Sequence, residues 1–437
     1  MKINRVIISG ASSGVGKTTV TNAILSLVEE VTPFKIGPDF IDPMLHQYVT
    51  SLPSTNLDSF IYDEHTIKYL FKKYSGKINI LEGVMGLYDG LNHSLENNST
   101  AQMSRILDCP VILVIDGEKK ATSLAAHVKG LIGFDPRVNI AGVILNRTTK
   151  GSYQYLKSAI EQHCDVKCLG YLEKDTELKI KERHLGLLQA NEIEGLDQKL
   201  DVLKSKAKET LDLEAIIKIA NGAPEFSEAD ETQFKLPKFL MGKTVAYAKD
   251  EAFSFIYNTH VDLFNEVGAT VKYFSPIHDT KLPKADFYIF PGGYPELYLK
   301  QLTANNKMMI SIQEAVSSGA QILAECGGFI YLSHGIEYQN EFYKLCDIYD
   351  IDIKFTGKLD FKRFGYINVN HDGQDVKGHE FHYSSIKESR EDNAVYHITN
   401  KHYTCGYQKN NSIAGYPHLL YYSNLTYFKR LFGEKHE

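Results

Sequence analysis

The sequence predicts an α/β protein of two domains, the first with a parallel sheet. Short β-branched or leucine-rich runs alternate with helical patterns in both halves, as is typical of buried parallel strands. At 437 residues the chain is longer than one hydrophobic core usually supports. Apolar periodicity is lost after Asn221. We therefore predict an N-terminal domain over residues 1–222, a linker over 223–240 and a C-terminal domain over 241–437.

The composition is that of a globular protein without a polyanion-binding surface. Apolar residues make up 43%, and 48 basic against 54 acidic residues give a net charge of −6, so we expect no nucleic-acid partner. The first residues lead directly into a strand, and no apolar run approaches the roughly 20 residues of a membrane span, so we expect neither signal peptide nor membrane contact. The six dispersed cysteines fit a reducing compartment, and we expect a cytoplasmic protein.

The first element is a strand over residues 6–8 that leads into a glycine-rich loop over 9–19. Such a loop directs backbone N–H groups and the positive end of the following helix at one point, which suits a polyphosphate. Lys17 would reach the β- and γ-phosphates, and the Thr18 hydroxyl would bind Mg²⁺. The loop departs from the G-x-x-x-x-G-K-[ST] pattern, because Ala11 takes the place of the first glycine and Gly10 precedes it. The alternative is an ordinary turn of an α/β unit.

Acidic residues follow the next two strands. Asp39 and Asp42 come after a short strand that carries Lys35, and Glu82 and Asp89 lie in the glycine-rich stretch after the strand at 78–81. Loops at the carboxyl ends of parallel strands bind ligands in open α/β sheets. These residues therefore predict a Mg²⁺-nucleotide site and a substrate site. The alternative is that the acids only cap helices and satisfy turns.

Two further buried strands, over 111–116 and 140–146, complete the first half. Asn146 closes the second of them, and its amide has the donor and acceptor needed to bind an adenine edge. A plain turn at the end of the strand is the alternative. Charged residues with helical spacing fill the range from 191 to 220.

The second half carries a cysteine between a strand and a helix. Cys326 follows an apolar run and precedes Gly327 and Gly328, which is the arrangement of a nucleophile elbow. We expect such a turn to expose the sulfur and the helix N-terminus to favour the thiolate. The N–H of Gly327, with that of Gly292 or Gly293, would stabilise an oxyanion. A cysteine that merely packs in the core is the alternative.

A cysteine nucleophile needs a base, and sequence order does not restrict where that base lies. His379 and His382 in one motif, and His418 in another, are the candidates.

Together these motifs resemble those of cobyrinic acid a,c-diamide synthases, over nearly the whole chain and in the same order. Each motif alone is weak, but several together are specific. The resemblance implies an N-terminal P-loop domain similar to dethiobiotin synthetase and a C-terminal class I glutamine amidotransferase-like domain. It rests on the motifs at residues 10–19, 35–43, 82–90, 291–296, 324–328, 378–384 and 415–418.

The resemblance also implies roles for individual residues. Cys326 is the glutaminase nucleophile, His418 its base, and Gly293 and Gly327 form the oxyanion hole. Thr18, Asp42 and Glu82 bind the metal, while Asp39, Asp42 and Asp89 bind substrate. The ATP site is implied at Gly10, Ser12, Ser13, Gly14, Val15, Gly16, Lys17, Thr18, Thr19 and Asn146.

The implied activity is a Mg²⁺-dependent amidation of the a and c carboxylates of cobyrinic acid, a corrin, with ATP and L-glutamine as cosubstrates. ATP would convert each carboxylate to an acyl phosphate, and ammonia would pass internally from the glutaminase. Two departures are visible: the family often has a second histidine two positions after the base, where this chain has Leu420, and no H-x-E completes a triad. The orienting partner of His418 is therefore open. A homodimer is plausible.

Three alternatives stay open at this point. The same amidation on nickel sirohydrochlorin, as in coenzyme F430 assembly, and amidation of other carboxylates, as in cobyric acid synthase, belong to the same class. A partition-type P-loop ATPase switch with a non-catalytic C-terminal half belongs to another. Cys326 argues against the switch, which has no use for an exposed thiol on such an elbow.

Overall fold

The computed structural model describes residues 1–175, 182–183, 186–187, 192–227, 230–392 and 394–433. It divides into two compact units, Met1–Glu231 and Thr232–Glu437. Position 191 of the predicted charged stretch, positions 228 and 229 of the predicted linker, and 434–437 of the predicted C-terminal domain lie outside the described residues.

The N-terminal unit is a parallel sheet covered by helices. Its strands are β1 (Arg5–Gly10), β2 (Val31–Ile36), β3 (Thr55–Leu57), β4 (Ile78–Gly86), β5 (Val111–Asp116), β6 (Ile140–Asn146), β7 (Cys168–Leu172) and the short pair β8 (Glu182–Arg183) and β9 (Gly186–Leu187). Its helices are α1 (Lys17–Leu27), α2 (Ile41–Thr50), α3 (Glu64–Tyr74), α4 (Thr100–Ile106), α5 (Ser123–Phe134), α6 (Lys150–His163), α7 (Leu196–Thr210) and α8 (Leu213–Asn221).

The strand order explains where the site forms. Within the described residues seven strands pair in the order β3-β2-β4-β1-β5-β6-β7, and every pairing is parallel. Buried aliphatic side chains such as Val6, Ile112 and Ile144 join the sheet to Val20 and Ile24 of α1. Because β1 lies between β4 and β5, the loop after β1 is flanked by the carboxyl ends of its neighbours.

Three local features of the N-terminal unit differ from the sequence-based expectation. β4 runs on to Gly86, so Glu82 lies within a strand and not in a loop. The charged stretch forms two helices, because Asp212 accepts a hydrogen bond from the Ala215 N–H and so starts α8. Part of the predicted linker is packed: Phe226 is buried, with its ring 5.3 Å from that of Phe71.

The C-terminal unit is also α/β. Its strands are β10 (Thr244–Ala248), β11 (Thr270–Phe274), β12 (Phe287–Phe290), β13 (Gln321–Glu325), β14 (Ser333–Tyr338), β15 (Glu341–Lys344), β16 (Tyr349–Phe355), β17 (Gly365–His371), β18 (Gln374–Glu380), β19 (Ser384–Ser389), β20 (Ala394–Ile398), β21 (Tyr403–Lys409), β22 (Ser412–Gly415) and β23 (His418–Leu419). Its helices are α9 (Asn258–Glu266), α10 (Leu299–Ala304), α11 (Asn306–Ser317), α12 (Gly327–Leu332) and α13 (Leu425–Gly433).

Among the described residues the main sheet of this unit has ten strands, in the order β11-β10-β12-β13-β22-β21-β20-β17-β18-β23. The first five pair in parallel, and the rest form an antiparallel extension that the sequence analysis does not anticipate. β14, β15, β16 and β19 form a second, four-stranded sheet. Phe290, Phe329 and Tyr331 lie in the buried core, as do Ile322 and Ala324 of β13, the strand that precedes Cys326.

All six cysteines are free thiols, and no disulfide forms. A search of the described helices finds none with the length and apolarity needed to cross a bilayer.

Candidate functional site

The loop between β1 and α1 has the backbone of a phosphate-binding turn. Gly14 and Gly16 adopt φ angles of 76° and 92°, which disfavour other residues. A Cβ on Gly10 would lie 2.7 Å from the Val15 side chain and 2.9 Å from the Ser12 carbonyl oxygen, so only glycine fits there. The loop therefore needs its first glycine at position 10, one residue before the position that the common pattern gives it.

The predicted nucleotide-binding residues line this loop. Ser12, Ser13 and Gly14 are exposed, Val15 is buried, and positions 16–19 are partly exposed. Burial and the neighbouring Lys35 lower the pKa of Lys17, which lies next to the open loop. The first N–H groups of a helix have no partner within the helix and can bind an anion.

Asn146 binds the loop itself through its amide, and the predicted adenine contact stays a prediction. Its Nδ2 donates a 2.8 Å hydrogen bond to the Val15 carbonyl oxygen, which pins the loop to the end of β6. The neighbouring Arg147 donates to the Gly14 carbonyl oxygen at 2.8 Å and to Asp116 at 2.7 Å, a support that sequence reasoning misses. Asn146 also lines a cavity of about 330 Å³ together with Gly16, Thr19, Leu203 and Lys206.

Beside the loop lies a buried cluster of charges. The Thr18 hydroxyl donates to Glu82 Oε1 at 2.7 Å and lies 3.5 Å from Asp42 Oδ1. Lys35 Nζ donates to Asp42, and to Glu82 Oε1 at 3.1 Å, and its side chain is 4% exposed. Thus Thr18, Asp42 and Glu82 come together as the sequence predicts, but with the Lys35 ammonium between the two carboxylates.

His46 completes this cluster and is absent from the sequence-based prediction. Its Nε2 lies 2.8 Å from Glu82 Oε2 and its Nδ1 lies 3.0 Å from Ser54 Oγ, all of them buried. Burial opposes the ionisation of Glu82, but Lys35, His46 and Thr18 outweigh it and hold the pKa of that carboxyl well below its usual range. Glu82 is therefore an anion at neutral pH.

The pKa of Asp42 is shifted in the opposite direction, upward. Burial, Asp39 and Glu82 raise the pKa of Asp42 well above its usual value, because its carboxylate lacks a full counter-charge. A hard divalent cation would supply that charge, and the oxygens of Thr18, Asp42 and Glu82 are ligands of the type that Mg²⁺ prefers. No ready cage of three or more His, Cys, Asp or Glu ligands occurs in the described part of the chain. The residues thus fit an ion held jointly with substrate phosphates.

Asp39 and Asp89 have structural hydrogen bonds. Asp39 Oδ1 accepts from the N–H groups of Ile41 and Asp42 at 2.8 and 3.3 Å, at the start of α2. Asp89 Oδ2 accepts from the Gly86 N–H at 2.9 Å. These turn contacts are what the alternative interpretation of the acids predicts, and substrate binding by either residue stays a prediction.

In the C-terminal unit Cys326 stands between β13 and α12 with φ 49° and ψ −103°, a strained conformation for a residue other than glycine. Its N–H donates to the Gly415 carbonyl oxygen at 2.8 Å, which fixes the turn to β22. The thiol is buried, with 5% exposure, and not exposed as the elbow pattern suggests. Burial and the nearby Glu296 raise the pKa of Cys326, so the thiol needs a base.

The glycines around the elbow lie close together. A Cβ on Gly327 would lie 2.9 Å from the backbone nitrogen of Gly293, and one on Gly293 would lie 2.0 Å from the Ala252 carbonyl oxygen. A Cβ on Gly328 would lie 2.1 Å from the Phe290 carbonyl oxygen. The two predicted oxyanion donors, Gly293 and Gly327, are therefore neighbours in space.

The three candidate bases differ in their surroundings. His418 packs on the Pro-Gly-Gly turn, where a Cβ on Gly292 would lie 2.5 Å from its Cε1 and 3.2 Å from its Nε2. His379 stacks on His418, with centroids 4.8 Å apart, and binds the Tyr257 hydroxyl at 2.7 Å. His382 stacks on Tyr416 at 3.7 Å and its Nδ1 bonds the Ser384 carbonyl oxygen.

The pKa of His379 is shifted by its surroundings. Burial and His418 lower the pKa of His379 well below its usual value, so His379 stays neutral. His418 is the histidine next to the glycine turn beside the elbow. Its Nδ1 lies 3.6 Å from Oε2 of Glu325. Glu325 is absent from the sequence-based prediction.

Two family models match the chain, one in each half. Residues 6–188 match the family model of the CobQ/CobB/MinD/ParA nucleotide binding domain, and residues 244–425 match that of the CobB/CobQ-like glutamine amidotransferase domain.

Curated relatives extend the match to almost the whole chain. A protein of Fusobacterium nucleatum named cobyrinate a,c-diamide synthase is 43% identical over 98% of this chain and 99% of its own length. Proteins of the same name from Listeria innocua and Clostridium tetani are 38% and 37% identical, over 99% and 98% of this chain and 99% of their own lengths. With the P-loop and the cysteine elbow in place in its two units, the chain belongs to the cobyrinate a,c-diamide synthase family.

Proposed function

We propose that this chain catalyses the ATP- and glutamine-dependent amidation of the a and c carboxylates of cobyrinate, a corrin. The observation that carries the proposal is the 43% identity, over 98% of the chain, to a relative of that name. The phosphate-binding loop in one unit and the cysteine elbow in the other support it, because the reaction needs both a phosphoryl donor and a source of ammonia.

The N-terminal unit would activate the carboxylate. A carboxylate resists nucleophiles because its charge is delocalised and oxide is a poor leaving group. Transfer of the γ-phosphoryl group of ATP to a carboxylate oxygen gives an acyl phosphate, and ammonia then displaces inorganic phosphate to give the amide. Lys17 and the N-terminus of α1 bind the phosphates and offset their charge.

Mg²⁺ would be held by Thr18, Asp42 and Glu82, and when bound it neutralises phosphate charge. Lys35 and His46 hold Glu82 ionised and in place for that purpose.

The C-terminal unit would release the ammonia. His418 accepts the proton of the Cys326 thiol, and the sulfur attacks the amide carbon of glutamine. The resulting oxyanion lies toward the N–H groups of Gly293 and Gly327. Ammonia leaves with a proton returned by His418, and water hydrolyses the thioester to glutamate.

The test compares the wild type with Cys326→Ala and Lys17→Ala, supplied with cobyrinate, ATP and Mg²⁺ and with either glutamine or ammonium chloride. Diamide is measured by mass spectrometry and glutamate by enzymatic assay. We expect Cys326→Ala to lose glutamate release but to keep ammonium-dependent amidation. Lys17→Ala should lose amidation with either nitrogen source.

Two outcomes would contradict the proposal. ATP hydrolysis by the wild type without glutamate release would favour an ATPase switch, and amidation of another tetrapyrrole in preference to cobyrinate would assign a different substrate. The predicted homodimer is tested separately by light scattering of the purified protein.

A further inference from the structure

The two nitrogens of the His418 ring lie near different groups. Its Nε2 edge faces Gly292, next to the glycines of the elbow, and its ring stacks on His379 with an interplanar angle of 14°. Its Nδ1 lies 3.6 Å from Glu325 Oε2, within ion-pair range when the ring is protonated. The two nitrogens therefore meet a backbone turn on one edge and a carboxylate on the other.

Glu325 is itself fixed in this place. It ends β13, where its register partner is Gly415 of β22, and it is 8% exposed. Its other oxygen, Oε1, accepts the Leu419 N–H at 3.2 Å. One carboxylate thus binds the backbone next to His418 and faces the His418 ring as well.

The sequence has no carboxylate two positions after His418. Leu420 occupies the position two residues after His418 where an H-x-E motif would place one. The ionisable neighbours of His418 include His379, Glu325 and His260, and burial lowers the pKa of His260 to about 3. Since His379 and His260 stay neutral, Glu325 is the negative group of this set.

We propose that Glu325 is the positioning residue of the glutaminase base: it keeps Nδ1 of His418 protonated and stabilises the imidazolium that forms when Nε2 takes the Cys326 proton. The inference rests on the proposed function. Glu325, the residue just before the nucleophile, then has the role that the carboxylate has in a Ser-His-Asp triad. Catalytic hydrogen bonds are often long in ligand-free structures, and the 3.6 Å between Nδ1 and the carboxylate is already within ion-pair range.

The charge of Glu325 also acts on the Cys326 thiol, where it disfavours the thiolate. A test can therefore distinguish this effect from the effect of Glu325 on His418. Burial, then Glu296, Glu380 and Glu325, raise the pKa of the Cys326 thiol. Removal of negative charge alone should therefore ease thiolate formation. Loss of the partner of His418 should make the thiolate–imidazolium pair harder to form.

The central variant is Glu325→Gln, which keeps an oxygen to accept the Leu419 N–H but removes the charge. We expect the kcat for glutamate release to fall about 10- to 1,000-fold, with the KM for glutamine changed less than about 3-fold. Glu325→Asp should restore part of the kcat. A merely structural role predicts instead that Gln supports the wild-type kcat, because the backbone contact is preserved.

Alkylation of Cys326 by iodoacetamide, followed against pH by mass spectrometry, supplies a readout that does not need glutaminase activity. We expect the pH midpoint of alkylation to rise in Glu325→Gln. In the matched control Glu296→Gln it should fall, since only negative charge near the thiol is lost. A fall in both variants, or a wild-type kcat in Glu325→Gln, would overturn the inference.

The two proposals fail in different ways. A wild type that releases no glutamate refutes the proposed function, while the alkylation midpoints still report on the coupling of Glu325 to His418. Should Glu325→Gln not fold, as judged by its thermal transition, Glu325→Ala, which also lacks the carboxylate, decides: an alkylation midpoint and a kcat equal to those of the wild type would overturn the inference.

Discussion

At Lys35 one buried ammonium group opposes three carboxylates. It bonds Asp42, lies 3.1 Å from Glu82 and 3.7 Å from Asp39, and its side chain is 4% exposed. Burial opposes its charge, but Asp42, Glu82 and Asp39 raise the pKa of Lys35 above its usual value. A charge removed from such a site leaves its partners buried without compensation.

We therefore predict that Lys35→Met lowers the free energy of unfolding by about 3–5 kcal/mol. The loss should grow with pH, because the freed carboxylates bind protons more tightly in the folded than in the unfolded chain. Urea unfolding followed by circular dichroism at pH 6 and pH 8 measures both effects.

Lys68→Met is the matched control, since Lys68 pairs with the exposed Glu64 at 2.6 Å on the surface of α3. There we expect a change below about 1 kcal/mol. Equal effects of the two substitutions would show that the buried cluster contributes no more than a surface pair.

At the scale of elements, the turn after β12 decides how the base approaches the elbow. Gly292 accepts hydrogen bonds from the N–H groups of Ser254 and Phe255 at 3.2 and 3.1 Å, so the turn cannot shift freely. His418 on β23 packs against it at a distance that leaves no room for a methyl group.

Gly292→Ala should therefore displace the His418 ring. We predict a loss of glutamate release of about 10- to 100-fold with little loss of ammonium-dependent amidation, because the general base is misplaced while the N-terminal unit is untouched. Steady-state assays with glutamine and with ammonium chloride measure the two activities separately.

Gly151→Ala at the start of α6 controls for the substitution itself, since a Cβ there meets no heavy atom within 4 Å. It should retain both activities. A Gly292→Ala protein with wild-type glutamate release would mean that the ring tolerates the methyl group and that the elbow is less tightly packed than the structure indicates.

At the scale of the whole molecule, buried neutral histidines make stability depend on pH. His260 is 6% exposed and stacks on Tyr421 with centroids 4.3 Å apart. Burial, and then the charge of His418, lower the pKa of His260 to about 3 from an ordinary value of 6.5. Between those values the unfolded chain binds a proton that the folded chain does not, so stability falls as the pH falls below about 6.5.

We predict that His260→Phe, which keeps a ring and cannot be protonated, reduces the acid sensitivity of the protein. At pH 4.5 the His260 contribution to destabilisation should be on the order of 2–3 kcal/mol relative to pH 7. Unfolding midpoints in urea at the two pH values, for variant and wild type, give the difference. The same drop in both proteins would show that His260 takes up no net proton on unfolding.

The architecture of this protein and the position of its reactive loops can be predicted from the amino-acid pattern alone. Alternation of apolar runs and helical patterns predicts two α/β domains, and the structure and the two family matches confirm that class. The loop at 9–19 and the elbow at Cys326 are also readable, because each requires particular residues at adjacent positions.

Only the tertiary structure decided which side chains meet at those loops. His46 reaches Glu82 across 36 positions and Arg147 reaches Gly14 across 133, and no local pattern records such contacts. Glu325 is adjacent to Cys326 in sequence, yet its part becomes visible only when β23 brings His418 beside it. Burial, too, is a property of the fold: it turns the expected exposed thiol of Cys326 into a buried one and lowers the pKa of His379 well below its usual value. The physical reason is that backbone periodicity depends on neighbours along the chain, whereas desolvation and charge pairing depend on neighbours in space.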